Sequence, residues 1–413
     1  MKILFSVGNL DENLNANTKI ALKVAKALAK MGAECTITGA CEKKSLCKDI
    51  TVGGVTRRRF YINQFKSENK KMADALNSSA STFNKLKFGV IHPTMFLKLL
   101  WQKVKTPTSA YKKNIKKLLA EKQFDVIVCV YIPFEFCEAV INIKNLPCPV
   151  VAYQLDPWGE NTANSWQRRS FVVNKECRVF EKCKHIFTTP VLLKSYLKNE
   201  YQPYTSKMTP LEFPVLQKPA FNSGTQSAVE FDENYTNMVF CGAVVDTFRS
   251  PKAFLEVFEN ALKENPNMRI YFVGTNHSGV LNGFIKKLPN NIFTTGLVPN
   301  SVAMETMKQA DFLVNIGNGI ENQVPSKIFE YFSYGKPTIT TIKMKNCPSI
   351  SYFERYGNAL ILDEKTSAST NAIDFLEFVK NNKGKEIGYD EVLTKFFDCT
   401  PEAVAKTMWE KLQ

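Results

Sequence analysis

Pro325-Ser326-Lys327-Ile328-Phe329-Glu330-Tyr331-Phe332-Ser333-Tyr334-Gly335-Lys336-Pro337 follows an apolar run, Asp311-Phe312-Leu313-Val314-Asn315-Ile316, and a polar loop, Gly317-Asn318-Gly319-Ile320-Glu321-Asn322-Gln323-Val324. A proline near the first helical position and Gly-Lys-Pro past the end predict a short helix between them. Ile328, Phe329 and Phe332 share a face at helical spacing, which seats that helix on a sheet. Ser326, Lys327 and Glu330 lie three and four residues apart and share another face. A helix start offers unpaired N–H groups and partial positive charge, suited to phosphate. Lys327 adds a cation, and the Glu330 carboxylate can accept two hydrogen bonds from vicinal hydroxyls. The set reads as a clamp for a nucleoside diphosphate with a ribose reader. Taken alone, Lys327 and Glu330 also fit an ordinary surface pair worth about 0.3 kcal/mol.

Outward from that stretch, strand and helix signals alternate. Lys2–Val7 reads as a buried strand, a helix follows with Ile20, Ala21, Val24, Ala25, Leu28 and Ala29 on one face, Gly32 caps it, and Glu34–Thr38 is the next strand. Further strands are expected at Val126–Tyr131, Val150–Gln154 and His185–Thr189. The segment 200–236 is turn-rich, with Pro203, Pro210, Pro214, Pro219 and Gly224, and is the expected domain boundary. The pattern then restarts: strands at Met238–Cys241, Arg269–Val273 and Ile292–Thr295, each followed by glycine, and helices at Ala253–Leu262 and Val302–Ala310. Strand–helix–strand repetition indicates parallel sheets. The fold class is α/β, with a domain over 1–205, a second over 206–398 and a helix in 399–413.

The segment Asn322 through Ile339 resembles the signature of GT-B glycosyltransferases, specifically the retaining, family 4 (group 1) type. Members carry a pair of glutamates in this stretch; here Glu330 is the second and Asn322 stands at the first. The resemblance implies two Rossmann-like domains facing each other across a cleft, the first binding acceptor and the second holding a nucleotide sugar. It implies that the C-terminal helix crosses back to the first domain. Phe240-Cys241-Gly242-Ala243-Val244, with Arg249 and Lys252, resembles the family's strand, glycine and basic pair. There Gly242 would admit the donor closely, and the two cations would neutralise the leaving diphosphate. The turn beginning at Gly296 resembles the one that meets the nucleotide base. Asp156, in Gln154-Leu155-Asp156-Pro157-Trp158, occupies the place of a sugar-facing residue; a turn-capping aspartate is the alternative. The family's glycine pair after the first strand is missing, its place taken by Asn15-Ala16-Asn17-Thr18.

The expected reaction is therefore retaining transfer of a sugar from a UDP- or GDP-linked donor to a glycan, a polysaccharide or a lipid-linked acceptor. No Asp-x-Asp occurs, so no metal is expected on the diphosphate, and no cofactor beyond the donor. A catalytically silent partner subunit and a sugar-nucleotide epimerase of the same fold remain as alternatives.

Composition sets bounds on partners and location. The 413 residues suffice for two or three domains, and 44% hydrophobic with 23% charged residues is the balance of a folded chain. The apolar start is too short for a signal peptide, and no run is long enough to span a bilayer. Eleven cysteines without a Cys-x-x-Cys pair read as buried thiols of a cytoplasmic protein, and three histidines argue against zinc. A net charge of +15 points to anionic partners, but no nucleic-acid-binding signature is present. Basic residues concentrate in 85–122, among them Lys98, Lys103, Lys112 and Lys116, interleaved with Phe96, Leu99, Leu100 and Trp101. That mixture suggests docking on an anionic membrane face, unless it is a solvated lysine face over a buried helix.

Overall fold

A computed structural model describes residues 1–12, 14–62, 107–131, 134–161, 166–247 and 249–413. The chain forms two compact units. One holds Met1–Glu160, residues 166–214 and Pro401–Gln413, the other Asn161 and Val215–Thr400.

In the first unit the strands are β1 (Lys2–Asn9), β2 (Glu34–Cys41), β3 (Ile50–Val52), β4 (Val55–Tyr61), β5 (Val126–Val130), β6 (Val150–Gln154), β7 (His185–Thr188) and β8 (Met208–Pro210). They form one sheet in the order β3-β4-β2-β1-β5-β6-β7-β8, parallel apart from the antiparallel β3–β4 edge. Its helices are α1 (Ala16–Lys30), α2 (Pro107–Glu121), α3 (Phe134–Ile141), α4 (Trp166–Lys182) and α5 (Pro190–Tyr196). Buried strands such as Val126–Val130 are apolar throughout because both sheet faces are covered. Asn15 starts α1 by accepting the Thr18 N–H on its Oδ1 at 2.8 Å, and Gly32 (φ 97°) takes the left-handed turn after it.

The boundary falls after Pro214 rather than at 205/206, because β8 pairs with β7 and keeps 208–210 in the first sheet. The last helix, Pro401–Leu412, is also part of the first unit, with Val404, Ala405 and Met408 buried. Of the basic run 85–122, residues 85–106 lie outside the described residues. Lys112, Lys113, Lys116 and Lys117 lie on α2, where Lys113, Lys116 and Lys117 are exposed.

The second unit has β9 (Thr236–Cys241), β10 (Met268–Val273), β11 (Ile292–Gly296), β12 (Phe312–Ile316), β13 (Thr338–Ile342) and β14 (Ala359–Asp363). All are parallel, in the order β11-β10-β9-β12-β13-β14. Helices α6 (Lys252–Leu262), α7 (Gly279–Lys287), α8 (Asn300–Gln309), α9 (Lys327–Phe332), α10 (Ile350–Tyr356), α11 (Ala368–Asn382) and α12 (Tyr389–Lys395) connect or flank them. The strand order reverses between β9 and β12, and in such a sheet ligands bind beyond the carboxyl ends of the strands at that point. Two apolar clusters lie on the sheet, one including Phe254, Phe258 and Phe375, the other Met307, Leu313 and Tyr331.

Candidate functional site

The reversal point brings together the end of β9 and the loop and short helix after β12. Gly242 follows β9 with φ 156°, a conformation that side chains other than glycine rarely adopt, and its carbonyl oxygen packs so near Gly274 that a Cβ there would collide with it. From the other side, α9 reaches back to the end of β9. The Cys241 N–H donates to Tyr331 Oη at 2.8 Å, and Tyr331 Oη donates to the Cys241 carbonyl at 3.2 Å. Tyr331 is 1% exposed, so one buried phenol takes both backbone groups at the strand end.

Charged groups gather around this joint. Lys327 Nζ and Glu330 Oε2 are 2.7 Å apart, each side chain about one-third exposed at 32% and 28%. The Lys327 ammonium also lies against the Cys241 thiol. Burial pulls Lys327 down, but Glu330 and Cys241 outweigh it and hold the ammonium above its ordinary value. Burial pushes the Cys241 thiol up, while Lys327 opposes it. Arg249 brings its Nη1 near Gly242, 3.9 Å from where a Cβ would stand. Its Nε is buried without a hydrogen-bond partner, and no carboxylate among the described residues pairs with it. Burial lowers the Arg249 guanidinium, with Tyr331 opposing. A partly buried guanidinium without a counter-anion is ready to take an anionic ligand.

Asn322 is 6% exposed in the loop after β12, a loop that Asn318 Nδ2 braces by donating to Gln323 Oε1 at 3.1 Å. Ser326 precedes α9 without capping it through its side chain. The remaining expected residues stand elsewhere. Lys252 begins α6 on the surface, 64% exposed and 3.7 Å from Glu256, the ordinary i,i+4 pair. Gly296 ends β11, two strands away from β9, with φ 72°. Asp156 belongs to the first unit, in the turn after β6, where its Oδ2 accepts from Asn17 Nδ2 at 3.0 Å.

Two residues escaped the sequence reading: Tyr331, to which it gave no role, and Glu176 of α4. Glu176 is fully buried. The signal for it was there, since Val172, Val173, Val179 and Phe180 surround position 176 at helical spacing. A glutamate on the buried stripe of a helix requires partners.

Residues 236–376 match the family model described as "Glycosyl transferases group 1". No curated protein matches the chain by sequence. Solved structures match along its whole length. TarM aligns with a TM-score of 0.64 at 12% identity, covering 100% of this chain and 98% of that one. An E. coli structure described as trehalose-6-phosphate bound with UDP-2-fluoro glucose gives 0.63 at 11%, covering 100% and 99%. A Listeria monocytogenes protein described as a UDP-N-acetylglucosamine 2-epimerase gives 0.58 at 9%, covering 98% and 94%. The shared fold is GT-B, in line with the expected two Rossmann-like domains.

Proposed function

Because residues 236–376 match the group 1 glycosyl transferase model, we propose that this protein is a glycosyltransferase that takes its sugar from a nucleotide-diphosphate donor seated at the β9–β12 reversal point. The observation that carries the reading is Arg249, partly buried beside Gly242 with its Nε unsatisfied and no anionic partner among the described residues. A diphosphate supplies the missing charge. Lys327 provides a second cation, and Glu330, once shared with ribose hydroxyls, accepts their hydrogen bonds. Lys252 would serve only by leaving Glu256.

In a retaining reaction the acceptor hydroxyl attacks the anomeric carbon on the face the leaving group departs from. The C–O bond to the diphosphate breaks, and a diphosphate oxygen takes the acceptor proton. Charge builds on the leaving diphosphate, so Arg249 and Lys327 lower the barrier by meeting it, and the scheme needs no metal bridge. On the family resemblance, Asn322 is proposed to meet hydroxyls of the sugar; for Asp156, in the first unit, that resemblance alone carries a sugar-facing role. For the acceptor we favour a lipid-linked or polysaccharide substrate. That choice rests on the family resemblance and on the exposed lysines of α2, which suit an anionic surface. No described helix is long and apolar enough to cross a membrane.

Isothermal titration with UDP and GDP tests the donor site. One of them should bind, and Arg249→Ala should weaken it about 10- to 100-fold, the worth of a charged hydrogen-bonded contact. If neither nucleotide binds at millimolar concentration, the donor reading fails. The epimerase fold relative motivates one more control: sugar must reach the acceptor, since release of an epimerised sugar alone would assign the other reaction.

A further inference from the structure

The buried carboxyl of Glu176 sits behind the turn that carries Asp156. Its two oxygens take four hydrogen bonds, all from donors. Oε1 accepts from Gln154 Nε2 at 2.6 Å and from Tyr196 Oη at 3.2 Å. Oε2 accepts from Gly159 N at 3.0 Å and from Tyr201 Oη at 2.5 Å. Gln154 is the last residue of β6 and Gly159 lies beyond Asp156, so one carboxyl grips both ends of the turn. Gly159 has no room for a side chain, because a Cβ would overlap Tyr201 Oη and Glu176 Oε2. The turn is further held by Trp158 stacked on Phe134, ring centroids 3.5 Å apart, and by the Asn17–Asp156 hydrogen bond.

The surroundings leave the carboxyl to these donors. Tyr131 faces it from just past the end of β5, Tyr196 from α5 and Tyr201 from the 3-10 segment Asn199–Lys207, with Cys177 next to it on α4. Glu160 at the turn's end is paired with Arg169 at 2.5 Å, and Arg169 also meets Glu200 at 3.6 Å. No cation is among the hydrogen-bond partners of Glu176. When ionised, this carboxyl offers acceptors alone to the four converging donors; when protonated, one oxygen becomes a donor and a tyrosine hydroxyl must turn to accept from it.

We propose that Glu176 is the positioning residue of the Gln154–Gly159 turn, fixing where Asp156 and, through it, Asn17 at the start of α1 are presented. The link to catalysis rests on the reading of Asp156 as a sugar-facing residue; the grip on the turn does not. Burial pushes the carboxyl up to about 7 against the pull of Tyr201, Gln154, the Gly159 N–H and Tyr196, so the grip changes character near neutral pH.

The test uses the full chain with Glu176→Gln, Tyr201→Phe and Asp156→Asn. Glutamine keeps the size but turns two hydrogens toward converging donors. Amide exchange of residues 155–160 should rise at least tenfold in Glu176→Gln, with exchange over 236–376 and UDP or GDP affinity unchanged. Tyr201→Phe, a milder loss of one donor, should raise it severalfold and serves if the glutamine variant does not fold. The protection factor of the turn, its exchange relative to the intrinsic base-catalysed rate, should change between pH 6 and 8 in the parent protein, and this change should vanish in Glu176→Gln. Unchanged exchange in both variants, or a rise spread evenly over the first unit, would overturn the proposal. If the turn loosens in Glu176→Gln while Asp156→Asn transfers sugar normally, the positioning role stands and the role of Asp156 falls. If Asp156→Asn loses transfer but the Glu176 and Tyr201 variants keep both a tight turn and normal kcat, the positioning role falls.

Discussion

Glu176 also couples stability to pH. An unfolded-chain glutamate titrates near ~4.3, whereas burial holds this one at about 7 when folded. Between those values the folded form keeps a proton that the unfolded form has lost. The stabilisation is therefore complete below the unfolded value and is lost as pH rises through about 7. At ~1.4 kcal/mol per unit, the loss is on the order of 3 kcal/mol. Urea unfolding at pH 5 and pH 7.5 should show the parent protein falling by this much, and Glu176→Gln should lack that slope. The sequence alone did not disclose this residue, because Asn174-Lys175-Glu176-Cys177-Arg178 reads as a wet helix face. What marks it is the apolar frame at positions 172, 173, 179 and 180. Arg249 and Lys252 show the opposite limit: the family resemblance paired them, but Arg249 turned inward to Gly242 while Lys252 stayed out with Glu256. Spacing tells which residues are neighbours along the chain, and a loop decides which of them points in.

Short elements hold the site through their ends. Helix α9 is barely more than one turn, too short to be stable on its own. It is fixed instead by Ile328, Phe329 and Phe332 in the core, by Tyr331 at the end of β9 and by Gly335 where the chain turns into β13. Gly335 has φ 71°, and a Cβ there would run into the Ile387 carbonyl, whose own N–H donates to Gly335 O at 2.8 Å. Gly335→Ala should cost about 1–2 kcal/mol for the left-handed backbone, and more for the displaced carbonyl. A lower urea midpoint together with weaker nucleotide binding would register both effects. Elements with a one-sided chemical signal were legible from sequence: β5 and β6 as continuous apolar runs, and α1 from its stripe and caps. The β3–β4 hairpin was not, since Arg57-Arg58-Arg59 conceals a strand. At this end of the sheet those side chains are half-buried rather than enclosed, and Arg58 is answered by Asp49 and Glu121, so alternation of apolar residues never develops.

At the scale of the whole molecule, the two-domain α/β plan could be read from the repeated strand–helix pattern, while the limits of the units depended on pairing. Three residues of β8 decide the boundary by extending the first sheet. The helix Pro401–Leu412 returns to the first unit, where Val404 and Met408 are no more than 2% exposed. Burying each such side chain contributes ~1.5–3 kcal/mol. Removing residues 401–413 should therefore destabilise the first unit by several kcal/mol and leave nucleotide binding by the second measurable. Calorimetry should show one transition moved down and the other, the one raised by nucleotide, in place.

That returning helix sets an order of assembly during synthesis. The ribosome finishes the N-terminal sheet early, yet the piece that completes this unit is made only after Val215–Thr400 has emerged. At ~5–20 residues per second, the delay is roughly 10–40 s. For that interval the nascent first unit lacks its final apolar cover, while the second has every strand it needs. The unit translated second is thus the one able to close first, and the patch awaiting Val404 and Met408 stays open while it does.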